Sequence, residues 1–284
     1  MLHILEHAIE HTFLDTVKLI PFLFLTYLAM EYLEHRAGEK ANTLVKKSGR
    51  LGPVIGSLLG IVPQCGFSAA ASNLYAGRII TMGTLLSIYL STSDEMLPIL
   101  ISEGAPASLI GKVLLIKVLI GMAAGFLIDL FFHRKEEEHD HIHEICEHEH
   151  CHCERGIFRS AVSHTLQITL YILLVAFVLE VILGIVGEEA LAGLISDRPV
   201  LGPVLAGIVG LIPNCASSVV LTQLYLDLNG AMSFGTMLAG LLVNAGVGLL
   251  VLFRVNHDKK DNLKIVGLLY LIGVVSGIVL ELFM

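Results

Sequence analysis

Three groups of residues have the types needed to do chemistry. Cys65 and Cys215 each stand two positions after a proline, in Pro63-Gln64-Cys65 and Pro213-Asn214-Cys215, with Ser68, Ser217 and Ser218 close behind. A proline inside an apolar helix frees backbone carbonyls, and Gln64 and Asn214 add neutral oxygens. The paired thiols suit a soft metal ion or metalloid, and the oxygens suit a hard one. A single cysteine is as readily a small apolar filler, so the recurrence is what singles these two out. Ser91-Thr92-Ser93-Asp94-Glu95 sets two carboxylates into an apolar stretch. They are hard ligands for Mn²⁺, Mg²⁺ or Ca²⁺, and a carboxylate can also exchange protons. The third group is the tract 133–155, whose His139, His141, His143, Cys146, His148, His150, Cys151, His152 and Cys153 are ligands for Zn, Ni, Co or Cu. Their spacing is too irregular for a zinc finger, so the tract reads as a loose metal collector.

The composition dictates where these groups sit. Of the 284 residues, 55 % are hydrophobic and only 15 % charged, against roughly 25 % charged in soluble domains. The mean hydropathy is +0.77. Apolar runs at 79–90, 113–128, 165–186, 237–253 and 265–280 approach, with their flanks, the ~20 residues that span a bilayer. The chain reads as a polytopic membrane protein. Its net charge of −8 is concentrated in the tract 133–155, where eight acids meet Arg134, Lys135 and Arg155. No basic, aromatic-rich face suits nucleic acid. Gly111-Lys112 is followed by Val113 and not by the hydroxyl a Walker motif requires. The expectation is therefore a non-enzyme without cofactors that works from an ion gradient.

An internal repeat organises the chain. Residues 52–77, GPVIGSLLGIVPQCGFSAAASNLYAG, align without a gap to 202–227, GPVLAGIVGLIPNCASSVVLTQLYLD, and share nine identities including Pro63, Cys65 and Ser68. Two homologous halves follow, 1–132 and 156–284, joined by the linker 133–155. Between Pro53 and Pro63 there is about 15 Å of helix, half of a ~30 Å hydrocarbon core. Either a single proline-kinked crossing or a re-entrant hairpin fits this length. Loop charge favours the hairpin: Arg36, Lys40, Lys46, Lys47 and Arg50, with Arg254, Lys259, Lys260 and Lys264, then fall on one side, as the positive-inside rule expects. The expected fold is all-α, with two inverted-topology repeats making about six full crossings plus two hairpins, or ten helices if hairpin arms are counted. Both termini are expected outside the cell membrane and the linker in the cytosol. The hairpin tips should meet near the midplane, where such folds place their substrate.

The repeat also pairs Thr92 with Asn244, a second polar group in what reads as an apolar helix. Glu31 and Glu180 lie late in the first helix of each half and could form a gate or proton pair. Lys18, Lys112, Lys117 and Asp129 read as snorkelling or pairing residues. His3, His7 and His11 share a helical face with Glu6 and Glu10, most simply a solvated end.

The GPV…G…P-x-C repeats, STSDE, VNAGVG and the His-rich linker together resemble the bacterial family of ten-helix heavy-metal exporters. Its members are also labelled manganese transporters or arsenic efflux proteins. The resemblance covers almost the whole chain and implies efflux of a metal or metalloid ion through the bacterial inner membrane. It carries over Pro63, Cys65, Ser68, Asp94, Glu95, Pro213, Cys215, Ser218 and Asn244 as motif residues, without individual roles. The leading expectation is gradient-driven export of a divalent cation, Mn²⁺ first with Zn, Co and Ni behind it, at Asp94, Glu95 and Asn244 with hairpin carbonyls. One alternative uses Cys65 and Cys215 to export arsenite or organoarsenicals. Another makes the two cysteines a transmembrane thiol–disulfide conduit. The partners expected are the ion and the lipid bilayer.

Overall fold

The computed structural model describes residues 51–62, 65–93, 96–132, 157–186, 200–213, 216–227 and 232–283, with scattered helical positions between 12 and 28. No strand occurs among them. The first half contributes α1 (Gly52–Gly60), α2 (Cys65–Ala76), α3 (Met82–Ser91), α4 (Met96–Ser102) and α5 (Ala107–Phe131). The second contributes α6 (Ile157–Val186), α7 (Leu201–Gly210), α8 (Ala216–Asp227), α9 (Phe234–Val243), α10 (Gly248–Val255) and α11 (Lys259–Phe283). Among the described residues, three stretches are long and apolar enough to cross a membrane: Ala107–Phe131, Phe234–Val255 and Lys259–Phe283. The linker 133–155 lies outside the described residues, as does Glu31.

Glycines fix how the first half packs. The same face of α1 sets Gly52 against Thr84, Gly56 against Ser87 and Ile88, and Gly60 against Ser91. Since both numberings rise together, α1 and α3 run side by side in the same direction. The chain leaves the far end of α1 and re-enters α3 beside the near end, so α2 must carry it back. Twelve residues of α2 give about 18 Å of return at 1.5 Å each. In lipid the hydrophobic effect does not hold helices together, so small residues that permit close backbone contact take over. An alanine Cβ at Gly60 would lie 2.9 Å from Ile88 O.

α5 packs antiparallel to α3, with Gly125 and Asp129 against Gly83 and Gly121 against Ser87. α11 packs on α9 in the same way, with Gly277 and Glu281 against Gly235 and Gly273 against Val243. α1, α3 and α5 thus form one bundle, and α7, α9 and α11 its counterpart. The halves also exchange arms, since α2 packs on α10 and α8 on α4. Lys112 near the start of α5 stacks 4.9 Å from the Phe234 ring at the start of α9, and Lys264 near the start of α11 lies 3.6 Å from Phe132 at the end of α5. α5 and α9 therefore start at one end of the molecule, and α3 and α9 run in opposite directions.

The middle of the molecule is α3 and α9. Every residue from Gly235 to Leu252 is buried, as are those from Gly83 to Ser93, as expected of helices apolar all round. Leu85, Leu86, Tyr89 and Leu90 share a core with Leu238, Leu241 and Leu242. By contrast, Leu115, Leu119 and Leu127 on α5 and Leu271, Val275 and Val279 on α11 face outward, the surface that lipid would cover. A second cluster joins Leu23 and Tyr27 to Ala69 on α2, Ile168 and Ile172 on α6 and Val251 on α10.

One expectation is corrected here. Neither Thr92-Ser93 nor Asn244 lies within a continuous apolar helix. α3 stops at Ser91 and α4 begins at Met96, and α9 stops at Val243 with α10 beginning at Gly248. Thr92, Ser93 and Asn244–Val247 are non-helical. Each half therefore has an interrupted helix at the same place in its repeat.

Candidate ion site at the two helix breaks

The first interruption is held by hydrogen bonds from another helix, and the second by a turn of its own. At the first, Ser93 N donates to Gly60 O at 3.2 Å and Ser93 Oγ to Ile61 O at 2.5 Å. The end of α1 is thereby tied to the end of α3. Thr92 Oγ1 returns to Ile88 O at 2.8 Å and Ser91 Oγ to Ser87 O at 2.8 Å, back-bonds that satisfy hydroxyls without water. At the second break, Gly246 N donates to Asn244 Oδ1 at 2.8 Å, an Asx turn. Gly246 takes φ +53°, which a side chain would disfavour.

Between the breaks stands Lys117, only 1 % exposed. Its ammonium donates to Thr92 O at 2.5 Å and to Leu241 O at 2.7 Å, one carbonyl from each half. Of the two expectations for Lys117, snorkelling or pairing, the structure shows pairing, with backbone carbonyls. The residue lies ten positions into the 25-residue α5, about 15 Å along it, and its side chain turns inward to the helix ends. A lysine at such depth costs about 3 kcal/mol on the membrane-insertion scale. The two carbonyl bonds at the ends of α3 and α9 offset part of that cost, since a hydrogen bond to a charged group contributes about 1.5–3 kcal/mol.

A second polar cluster lies where α2 meets α10. Ser72 Oγ contacts Tyr89 Oη at 2.6 Å, and both bond Gly248 O, at 2.7 and 3.1 Å. Ser68 lies against Gly248 and accepts from Ser72 through its carbonyl at 2.7 Å. In the second half Thr222 Oγ1 bonds Ser218 O at 2.7 Å, hydroxyl for hydroxyl at the repeat-related position. Helix starts are matched as well. Asp129 accepts from Gly83 N at 2.9 Å and Thr81 Oγ1 at 2.8 Å, and Glu281 occupies the corresponding place against Gly235.

Of the residues singled out from sequence, Ser68, Ser218 and Asn244 are buried next to these breaks or arms. Pro213 follows the end of α7 and is half-buried. Cys65 is the first residue of α2, and Glu180 lies in α6; the side chains of both lie outside what is described. Pro63, Gln64, Asp94, Glu95, Asn214, Cys215 and the linker histidines and cysteines also lie outside the described residues. Among the described residues no three His, Cys, Asp or Glu side chains gather as a metal site. Sequence reasoning passed over Tyr89 and Ser72 and read Lys117 only as a snorkelling or pairing residue. The signal for Lys117 was a lone cation in the middle of the apolar run 113–128, and for Ser72 a hydroxyl kept as Thr222 in the other half.

Interrupted helices that meet deep within a helical membrane protein are a recurrent feature of secondary transporters. The chain belongs to the ArsP_2 family, described as "Putative, 10TM heavy-metal exporter", which matches residues 3–187. It has no match among curated proteins or among solved structures.

Proposed function

We propose that the protein exports a divalent heavy-metal cation, Mn²⁺ first, across the bacterial inner membrane by alternating access driven by an ion gradient. The observation that carries this reading is the convergence of two helix C-termini on one buried ammonium (Thr92 O and Leu241 O on Lys117 Nζ), because carbonyl ends select cations. α1 and α2 form a re-entrant hairpin, as do α7 and α8. The parallel course of α1 and α3 supports the first, and the repeat extends it to the second. The halves are inverted repeats, a reading supported by the opposed directions of α3 and α9. Asp94, Glu95 and Asn244 coordinate the ion together with carbonyls at the hairpin tips, and one carboxylate releases a proton as the metal binds. Rocking of the two bundles about the breaks exposes the site to each side in turn. The linker lies in the cytosol, where its histidines and cysteines collect metal, and both termini lie outside.

A second reading keeps the fold and makes Cys65 and Cys215 the ligands of arsenite. It is favoured by their positions, since Cys65 opens α2 and Cys215 immediately precedes the first residue of α8. One experiment separates the two. Cells expressing the protein are challenged with Mn²⁺, Zn²⁺, Co²⁺, Ni²⁺ or arsenite, and their metal content is measured. Lowered Mn that Asp94→Asn restores, with the Cys65→Ser/Cys215→Ser variant unaffected, supports cation export. Arsenite resistance lost only in the cysteine variant transfers the function to the metalloid, and no change for any ion overturns both.

A further inference from the structure

The return arm α2 carries an inference that rests on the cation-export reading and supplies the ion's way in. Ser68, Ser72 and Tyr75 stand at i, i+4 and i+7 of α2 and so share one face. α8 presents Ser218, Thr222 and Tyr225 at the repeat-related positions, a hydroxyl for every hydroxyl. Ser68 lies against Gly248, the first residue of α10. Tyr75 Oη donates to Oδ2 of Asp261, in the first turn of α11, at 2.7 Å. The seam between α2 and α10 therefore runs from the second helix break to the end of the molecule where α11 starts. The proposed topology puts that end in the cytosol.

The seam is closed at two levels. Near the break, Ser72 and Tyr89 both reach Gly248 O. At the end, Asn256 Nδ2 joins Tyr75 on Asp261 Oδ2 at 3.1 Å. Asn256 is itself paired with Asn262, donating to its Oδ1 and accepting from its Nδ2 through the backbone carbonyl, each at 2.7 Å. α2 packs mainly on α10 and α3, and α11 on α9 and α7, so the Tyr75–Asp261 bond joins two helices whose main neighbours are others. We infer that Tyr75 and Asp261 form the cytosolic gate on the ion's route to the breaks, and that the structure holds it shut. Opening exchanges these hydrogen bonds for bonds to water, at little net change in free energy. The carboxylate is also a hard ligand, so a cation at the mouth competes with Tyr75 for it and draws the gate open. At the other end α5, matched to α11 through Asp129 and Glu281, has Leu109 in the place of Asp261. There Tyr225 packs edge-on against the Phe234 ring, 6.2 Å between centroids. The polar pair belongs to the cytosolic side.

The test uses the purified full-length chain in lipid nanodiscs, probed by hydroxyl-radical footprinting with mass spectrometry. Tyr75→Phe and Asp261→Ala each remove one side of the bond and are measured singly and together. Tyr89 is fully buried one level deeper. Its oxidation should rise several-fold in at least one variant, while that of Tyr225 stays at the wild-type level. A bond that only props the fold predicts either continued protection of Tyr89 in every variant or parallel rises at Tyr89 and Tyr225, and either result overturns the inference. Tyr75→Phe keeps the ring and its packing, so it decides alone if Asp261→Ala does not fold. Absence of export by wild-type protein in cells counts against the transport reading alone. The gate stands or falls by the footprint of Tyr89.

Discussion

At the scale of single residues, the interior is organised by polar groups that bond the backbone. Tyr89 is fully buried and shares Gly248 O with Ser72. Tyr89→Phe removes its hydroxyl and leaves that carbonyl with Ser72. The loss should be about 1 kcal/mol, an ordinary hydrogen bond's net contribution, read as a lower midpoint in thermal unfolding in detergent. Asn244→Ala should cost more than Tyr89→Phe, because Gly246 N loses its acceptor while the turn keeps its φ of +53°. A smaller loss for Asn244→Ala would mean that the Asx turn does not hold the second break. Lys117 shows where residue-level reading reaches its limit. A lysine in an apolar run signals something costly, but sequence alone does not say whether it bends outward to water or inward to carbonyls. Burial by α9, a helix more than a hundred positions away, decides that.

At the scale of helices, contact by glycine is the main constraint. Gly60→Ala forces a methyl group toward Ile88 O and Ser91. The strain should cost 1–3 kcal/mol, typical of overpacking, with a lower yield of folded protein. Gly267→Ala is the matched control, because an added Cβ there meets nothing within 4 Å. It should keep or slightly raise stability, since alanine favours helix over glycine by about 1 kcal/mol. Helix starts give another comparison. Asp129→Asn weakens the acceptor of Gly83 N and Thr81 Oγ1 and should speed amide exchange in the first turn of α3 by several-fold. Exchange unchanged by Asp129→Asn would show that Thr81, whose Oγ1 accepts from Thr84 N at 3.1 Å, suffices as the cap. The repeat was legible because Gly, Pro and Cys recur in register. The interruptions of α3 and α9 were not legible, because neither break contains a proline. A run such as Ser91-Thr92-Ser93 fits a polar turn of helix as well as its end. What ends the helix is tertiary: Ser93 turns its amide to Gly60 O and Lys117 takes Thr92 O.

At the scale of the whole molecule, the opposed directions of the bundles predict sidedness. In a cysteine-free variant, Glu103→Cys between α4 and α5 should react with an impermeant maleimide added to intact cells. His257→Cys between α10 and α11 should react only after permeabilisation. Both positions are exposed, so labelling of the two from the same side would refute the proposed topology. The class of the protein was legible from composition. The pairing of α2 with α10 and of α8 with α4 was not, because nothing local in a helix says which half will cover it. That exchange of arms has a consequence for how such a chain arises and is made. A half synthesised alone would leave its interrupted helix without the arm that packs on it. During synthesis, α4 likewise stays uncovered until α8 has entered the membrane. The first half must wait for the second before either is finished.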